Sequence, residues 1–197
     1  ELKSGHFDQA VGDYNTESGA WIRINPLDGK GAKDENVTDF RFALVECDAL
    51  PLGTQVAIYK QLQLPCAMIV HSGGKSAHAI VRIDAPTMVE YRKRVDFLYK
   101  VCARNGLEID RQNRNPSRYS RMPGVERNGK KQFIIETNVG TANWLDWYNY
   151  IEDLNDDLPE IETAEEAVTA PPPLREELIE GLLRVGHKMR IAGASKA

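Results

Sequence analysis

The chain has 197 residues, 42% hydrophobic and 27% charged, enough to bury the core of one domain or of one domain and part of another, which excludes wholesale disorder. No apolar run reaches the roughly 18 residues of a membrane span and no signal-peptide pattern opens the sequence. Its three cysteines (Cys47, Cys66 and Cys102) form neither a metal spacing nor a disulfide framework, which suits a reduced, cytoplasmic protein. Lys and Arg number 25 against 29 Asp and Glu, and the resulting net charge of −4 taken whole argues against a nucleic-acid partner.

In chain order, residues 20–24 alternate as a strand and run into a turn-rich loop over 25–31. Residues 40–46 read as a strand, 53–63 as an amphipathic helix and 66–71 as a short apolar strand. After Ser72-Gly73-Gly74-Lys75 a strand is expected over 78–83, then a helix over 88–105 stopped by Gly106. A short strand over 107–109, an Arg/Asn/Pro loop, a strand near 132–136 after the Asn128-Gly129 turn and a helix over 144–154 follow. Strands alternating with helices and hairpins give an α/β or α+β class. Residues 155–173 are acidic, lack aromatics and end in three prolines, a linker composition. A helical pattern resumes over 174–185 and a strand-like one over 187–192.

The charge is spread unevenly. Residues 75–131 hold 14 basic and 6 acidic side chains, net +8, whereas 146–170 hold 9 acidic and none basic. A block of that sign can hold phosphates. A solvated helix face accounts for Arg92, Lys93, Arg94 and Lys100. It accounts less well for Arg114, Arg118 and Arg121, set among Asn, Pro, Ser and Gly.

Three motifs carry chemistry. Glu46 and Asp48, at i and i+2 where a strand ends, project to one face and can share divalent cations, although a surface strand ending in acidic residues has the same pattern. Cys47 between them faces the other way and is expected to pack. Ser72, Lys75, Ser76 and His78 surround Gly73-Gly74, a loop in which amides, hydroxyls and a point charge can meet an anion. The plainer alternative is a β-turn with a histidine at the edge of the core. Asp110 closes Leu107-Glu108-Ile109 and is followed by Arg114, Arg118 and Arg121, which offers a third carboxylate with arginines to clamp a triphosphate, or a solvated loop. Asp84 is a rival third carboxylate, but it follows His78 closely and precedes a long helix.

Taken in this order, the motifs resemble the archaeo-eukaryotic primase superfamily, and in particular the primase-polymerase domains of phage and plasmid replication proteins that a RepA-like P-loop helicase follows. The resemblance covers residues 19–140 and 174–197. It implies a primase-polymerase core with a mixed, RRM-like sheet and flanking helices. It also implies a catalytic metal-binding set of Glu46, Asp48 and Asp110, with Ser72, Lys75, Ser76, His78, Arg118 and Arg121 on the nucleotide phosphates. The superfamily usually has Asp at the first position, so Glu46 is a departure that places a longer arm there.

The implied activity is template-directed nucleotidyl transfer with Mg²⁺ or Mn²⁺, on a single-stranded DNA template and a primer strand, with NTP or dNTP as substrate. A non-catalytic single-strand-binding module feeding a downstream helicase is the alternative, and a metal-dependent nuclease ranks below both because it needs no triphosphate loop. The expected organisation is a primase-polymerase domain over 1–145, an acidic linker over 146–173 and the truncated start of a P-loop helicase domain over 174–197, where Gly193 and the four residues after it match the first half of a P-loop. Glu rather than Met at position 1 fits a segment cut from a longer chain.

Overall fold

In chain order the elements are β1 (Trp21–Arg23), β2 (Phe40–Val45), α1 (Leu52–Gln61), β3 (Cys66–His71), β4 (Ala77–Ala85), α2 (Met88–Arg104), β5 (Tyr119–Arg121), β6 (Glu126–Arg127), β7 (Lys130–Lys131), β8 (Phe133–Val139) and α3 (Trp144–Asp156). Short 3-10 turns lie at Asp34–Asn36 and Arg111–Arg114. This computed structural model describes residues 12–156, 177–179 and 183–184. The chain divides into two units, Glu1–Asp153 and Leu154–Ala197.

The first unit is built on a four-stranded sheet in the order β2-β4-β3-β8. Alternation decides its two faces. Ala43, Val45 and Cys47 near β2 and Ala77, Ala79, Val81 and Ile83 of β4 are all at most 1% exposed, and they form one apolar face. All three helices supply side chains to the same core: Tyr59 from α1, Trp147 and Ile151 from α3, and Tyr91, Val95, Leu98 and Cys102 from α2. In α2 these positions recur every three to four residues, the spacing of a helix stripe facing a core. Thr87 caps that helix by accepting the Glu90 amide at 3.2 Å. The opposite face of the sheet, at the end where β2 stops and β4 starts, is left for polar side chains.

β2 lies at an edge, and its outward groups are taken up by side chains instead of a further strand. Tyr91 and Tyr99 of α2 donate to the carbonyls of Phe42 (3.2 Å) and Leu44 (2.7 Å). Asn25, 4% exposed, uses its whole amide: Nδ2 donates to Phe42 O and Pro116 O, and Oδ1 accepts the amides of Arg41 and Phe42. One side chain thereby ties the loop after β1 and the loop before β5 to the strand that leads into Glu46. Asn25→Ala leaves buried donors and acceptors unpaired, and a loss of about 1–3 kcal/mol is expected, read as a lower urea midpoint at unchanged slope.

The α+β class holds, and strand 66–71 and the helix from Met88 are found as expected. Every described pairing is antiparallel, where a mixed sheet was expected. Residues 107–109 form no strand. The expected Arg/Asn/Pro loop instead contains a 3-10 turn and β5, which pairs with β1 to make a separate two-stranded ribbon. α3 continues past 145 with Trp144, Trp147 and Ile151 in the core, because the aromatic stripe and not the acidity of its other face sets the helix, so the folded unit outlasts the expected boundary. In the second unit β9 (Glu177–Ile179) pairs antiparallel with β10 (Leu183–Arg184), where a helix was expected. Gly181 lies between the two segments and disfavours a helix by about 1 kcal/mol relative to Ala. The linker reading beyond residue 156, the strand over 187–192 and the P-loop reading lie outside the described residues.

All three cysteines are buried and free. Burial pushes the Cys66 thiol up to about 12, so it behaves as a small core residue. Among the described residues no helix is long and apolar enough to cross a membrane.

Candidate functional site

A cavity of about 900 Å³ opens on the helix-free face of the sheet, a size that suits a small-molecule ligand. Its lining includes Glu46, Asp48, Ser72, Lys75, Ser76, His78, Arg118 and Arg121, eight of the nine residues that the sequence nominates. Asp110 is the exception. Its Oδ1 accepts the Gln112 amide at 2.9 Å and caps the 3-10 turn, and it does not line the cavity. The rival Asp84 lies at the far end of β4 from His78.

The strand register explains the centre of the site. Val45 pairs with Ala79, so one residue further Glu46 stands opposite His78 on the same face. His78 Nε2 lies 3.1 Å from Glu46 Oε1. On its other side, Nδ1 accepts the Arg121 amide at 3.4 Å, with Ser120 Oγ at 3.3 Å. An accepting Nδ1 fixes the tautomer, because the proton must sit on Nε2 and donate to Glu46. Ser76 Oγ donates to the same Glu46 oxygen at 3.2 Å. Burial raises the Glu46 carboxyl, but the hydrogen bonds from His78 and Ser76 and the charge of Arg118 outweigh it, and the carboxyl is held below its ordinary value. Among the described residues nothing bonds to Asp48, which is exposed at the rim.

The loop between β3 and β4 is held from behind. Gln55 of α1, fully buried, donates to Leu50 O at 2.6 Å and Lys75 O at 3.2 Å and accepts the Ala77 amide at 2.9 Å, while Tyr59 donates to Ala77 O at 3.0 Å. Gly73 has φ +71, and a Cβ there would come within 3.2 Å of Gln132 Cγ and 3.3 Å of Lys130 O, so the tight turn beneath the β6–β7 hairpin needs glycine. The amides of Gly73 and Gly74 are engaged by His71 Nδ1 at 2.9 Å and Ser72 Oγ at 3.3 Å. The expectation that these two amides face an anion is corrected accordingly. The groups left in this loop to meet one are the Lys75 ammonium and the Ser72 hydroxyl, because the Ser76 proton goes to Glu46.

The lining also contains Arg127, Asn128 and Lys130, from the β6–β7 hairpin, and Trp21 and Tyr119, from the β1–β5 ribbon. The sequence motifs single out none of them. The available signal was the Asn128-Gly129 turn with cations on both sides; both residues have positive φ, +49 and +71, as a tight hairpin requires. With Lys75, Arg118 and Arg121 the cavity presents five cations against two carboxylates. Arg121 is 7% exposed, and its guanidinium is pushed down to about 10 by burial and by Arg127, which leaves it charged at neutral pH.

The AEP domain of the cyanophage S-2L primase-polymerase matches this chain with a TM-score of 0.53 at 24% identity, covering 66% of this chain and 69% of that one. The fold is that of a primase-polymerase domain. The catalytic domain of primase RepB′, solved in complex with initiator DNA, shows a weaker likeness, with a TM-score of 0.40 at 17% identity over 60% of this chain and 65% of that one. No family model and no curated protein matches the sequence. On this primase-polymerase fold the two carboxylates stand at the end of β2 and the Ser/Lys/His loop joins β3 to β4, so antiparallel pairing alone brings the first two motifs together.

Proposed function

We propose that this domain is a template-directed nucleotidyltransferase, a DNA primase-polymerase that adds nucleotides to a strand paired with a single-stranded DNA template. The observation that carries the reading is one cavity, on a primase-polymerase fold, in which Glu46 and Asp48 face Ser72, Lys75, Ser76, His78, Arg118 and Arg121. Nucleotidyl transfer joins a 3′-hydroxyl to the α-phosphorus of a nucleoside triphosphate and expels pyrophosphate. Lys75, Arg118 and Arg121 neutralise the triphosphate and hold it in line, so that most of the catalysis is positioning and charge stabilisation.

The donor set fits a hard divalent cation. Glu46 and Asp48 are oxygen ligands, and Mg²⁺ is commonly held by one or two carboxylates with substrate phosphates and water completing its shell. Among the described residues there is no cluster of three or more His, Cys, Asp or Glu that could hold an ion alone, so nucleotide phosphates and water would complete its shell. Mg²⁺ or Mn²⁺ held there would supply charge neutralisation at the phosphate oxygens. Oε1 of Glu46 is already committed to His78 and Ser76, which leaves Oε2 for that role. His78 therefore positions the Glu46 carboxylate as well as lining the phosphate site.

The test is incubation with a single-stranded template, Mg²⁺ or Mn²⁺ and labelled NTPs or dNTPs, with and without an annealed primer. Template-dependent incorporation is expected. A protein that binds the strand without cation and ignores triphosphates would instead be the binding module.

A further inference from the structure

The ribbon of β1 and β5 brings two aromatic side chains into the cavity that phosphate chemistry does not use. Its register sets Trp21 opposite Arg121 and Arg23 opposite Tyr119, which makes the rings diagonal neighbours on one face of the ribbon. Each ring carries a cation: Arg121 Cζ lies 3.3 Å from the Trp21 ring centroid, and Arg23 Cζ 4.1 Å from that of Tyr119. Even so, Trp21 is 49% exposed and Tyr119 46%, so π surface remains in water beside a cavity lined by phosphate-binding groups. A large aromatic surface left there is stabilised by covering it with a flat apolar partner, and a nucleobase is such a partner, with a π face whatever its sequence.

The ribbon is held ready for this. Gln132, fully buried, donates Nε2 to Ala20 O at 3.1 Å and Met122 O at 3.0 Å, the residues flanking Trp21 and Arg121. Arg121 donates to Ser18 O at 2.7 Å, and Arg23 donates to Tyr119 Oη at 2.6 Å and to Ser117 O. The cations are thus fixed by protein carbonyls and a hydroxyl, and each holds one ring by a cation–π contact, which lowers the cost of ordering that ring when a ligand arrives.

We propose that Trp21 and Tyr119 form a nucleobase-stacking subsite that takes the base of the nucleotide whose phosphates lie against Lys75 and Arg118. This rests on the reading of the cavity as a nucleotide site. It adds the recognition element for the base.

The protein carries its own reporter, because of its three tryptophans only Trp21 is exposed, Trp144 and Trp147 being 7% and 0% exposed. Titration with a nucleoside triphosphate and Mg²⁺ is expected to give a saturable quench of tryptophan emission that Trp21→Phe removes while affinity stays within about threefold. Inorganic tripolyphosphate, the base-free probe, is expected to bind by calorimetry without quenching. Trp21→Ala and Tyr119→Ala are expected to weaken the nucleoside triphosphate by about five- to a hundredfold, and tripolyphosphate far less. If both ligands bind wild type and the alanine variants equally, the stacking subsite is wrong and the phosphate site stands. If neither ligand binds wild type, the reading of the cavity is itself wrong. A quench by a single-stranded oligonucleotide but not by the nucleoside triphosphate gives the rings to a strand and overturns the proposal.

Discussion

Asp48→Asn is expected to lower nucleotide incorporation by about 10²–10³-fold, the cost of removing one preorganised electrostatic group from a transition state, while leaving the melting temperature almost unchanged. Two observations separate these outcomes. Asp48 is exposed and bonds to no other described residue, so its carboxylate contributes little to folding. It also stands at the rim of a cavity with five cations, where a hard oxygen charge bears directly on how a triphosphate and a divalent ion share the site. Primer extension with labelled dNTPs measures the first effect and a thermal melt the second. Extension at the wild-type level in a folded Asp48→Asn protein would sink the assignment. Asp110→Asn, run alongside, decides whether a third carboxylate takes part. A loss equal to that of Asp48→Asn brings the cap of the 3-10 turn into the ligand set, and an unchanged rate confines the set to Glu46 and Asp48.

What could be read in the chain beforehand followed the range of the interaction that decides it. The strand at Cys66–His71 and the helix from Met88 to Arg104 rest on local periodicity and a local cap, and both are where the pattern predicts. Glu46, Ser76 and His78 stand out in the chain by residue type, and the register of β2 against β4 brings them to one cavity. The β1–β5 ribbon was only half legible: residues 20–24 alternate as a strand, but β5 has no pattern of its own and Trp21 pairs with Arg121 across a hundred residues. Gln55 is a polar residue on an amphipathic helix, and only the tertiary structure reveals it as fully buried behind the loop between β3 and β4. Arg127 likewise takes its role from a hairpin folded over Gly73, and not from its neighbours in sequence. The net charge of −4 hides the five cations of the cavity for a related reason, since a sum over the chain carries no information about which charges converge on one site.

His78→Ala is expected to act on stability and activity together, and the pH dependence tells the two apart. The imidazole is 2% exposed and bridges Glu46 to the backbone of β5, so its loss opens a cavity and leaves the Glu46 carboxylate without its main partner. A destabilisation of about 1–3 kcal/mol follows from the unpaired buried groups, and incorporation is expected to fall by about 10²-fold, because Glu46 is no longer aimed into the site. In the wild type the Glu46 carboxyl is held below its ordinary value of 4.5, so its contribution to stability is complete above that pH and is lost as pH falls through the lowered folded value. Without His78 the burial that raises this carboxyl loses its strongest opponent. Acid unfolding then begins at a higher pH, and part of the stability at neutral pH goes with it. His78→Gln can still donate to Glu46 through its amide, and it is expected to recover some of the acid resistance but less of the incorporation. An acid limb that stays where the wild-type one lies, in a His78→Ala protein that folds, would show that Glu46 owes its ionisation to Ser76 and Arg118 instead.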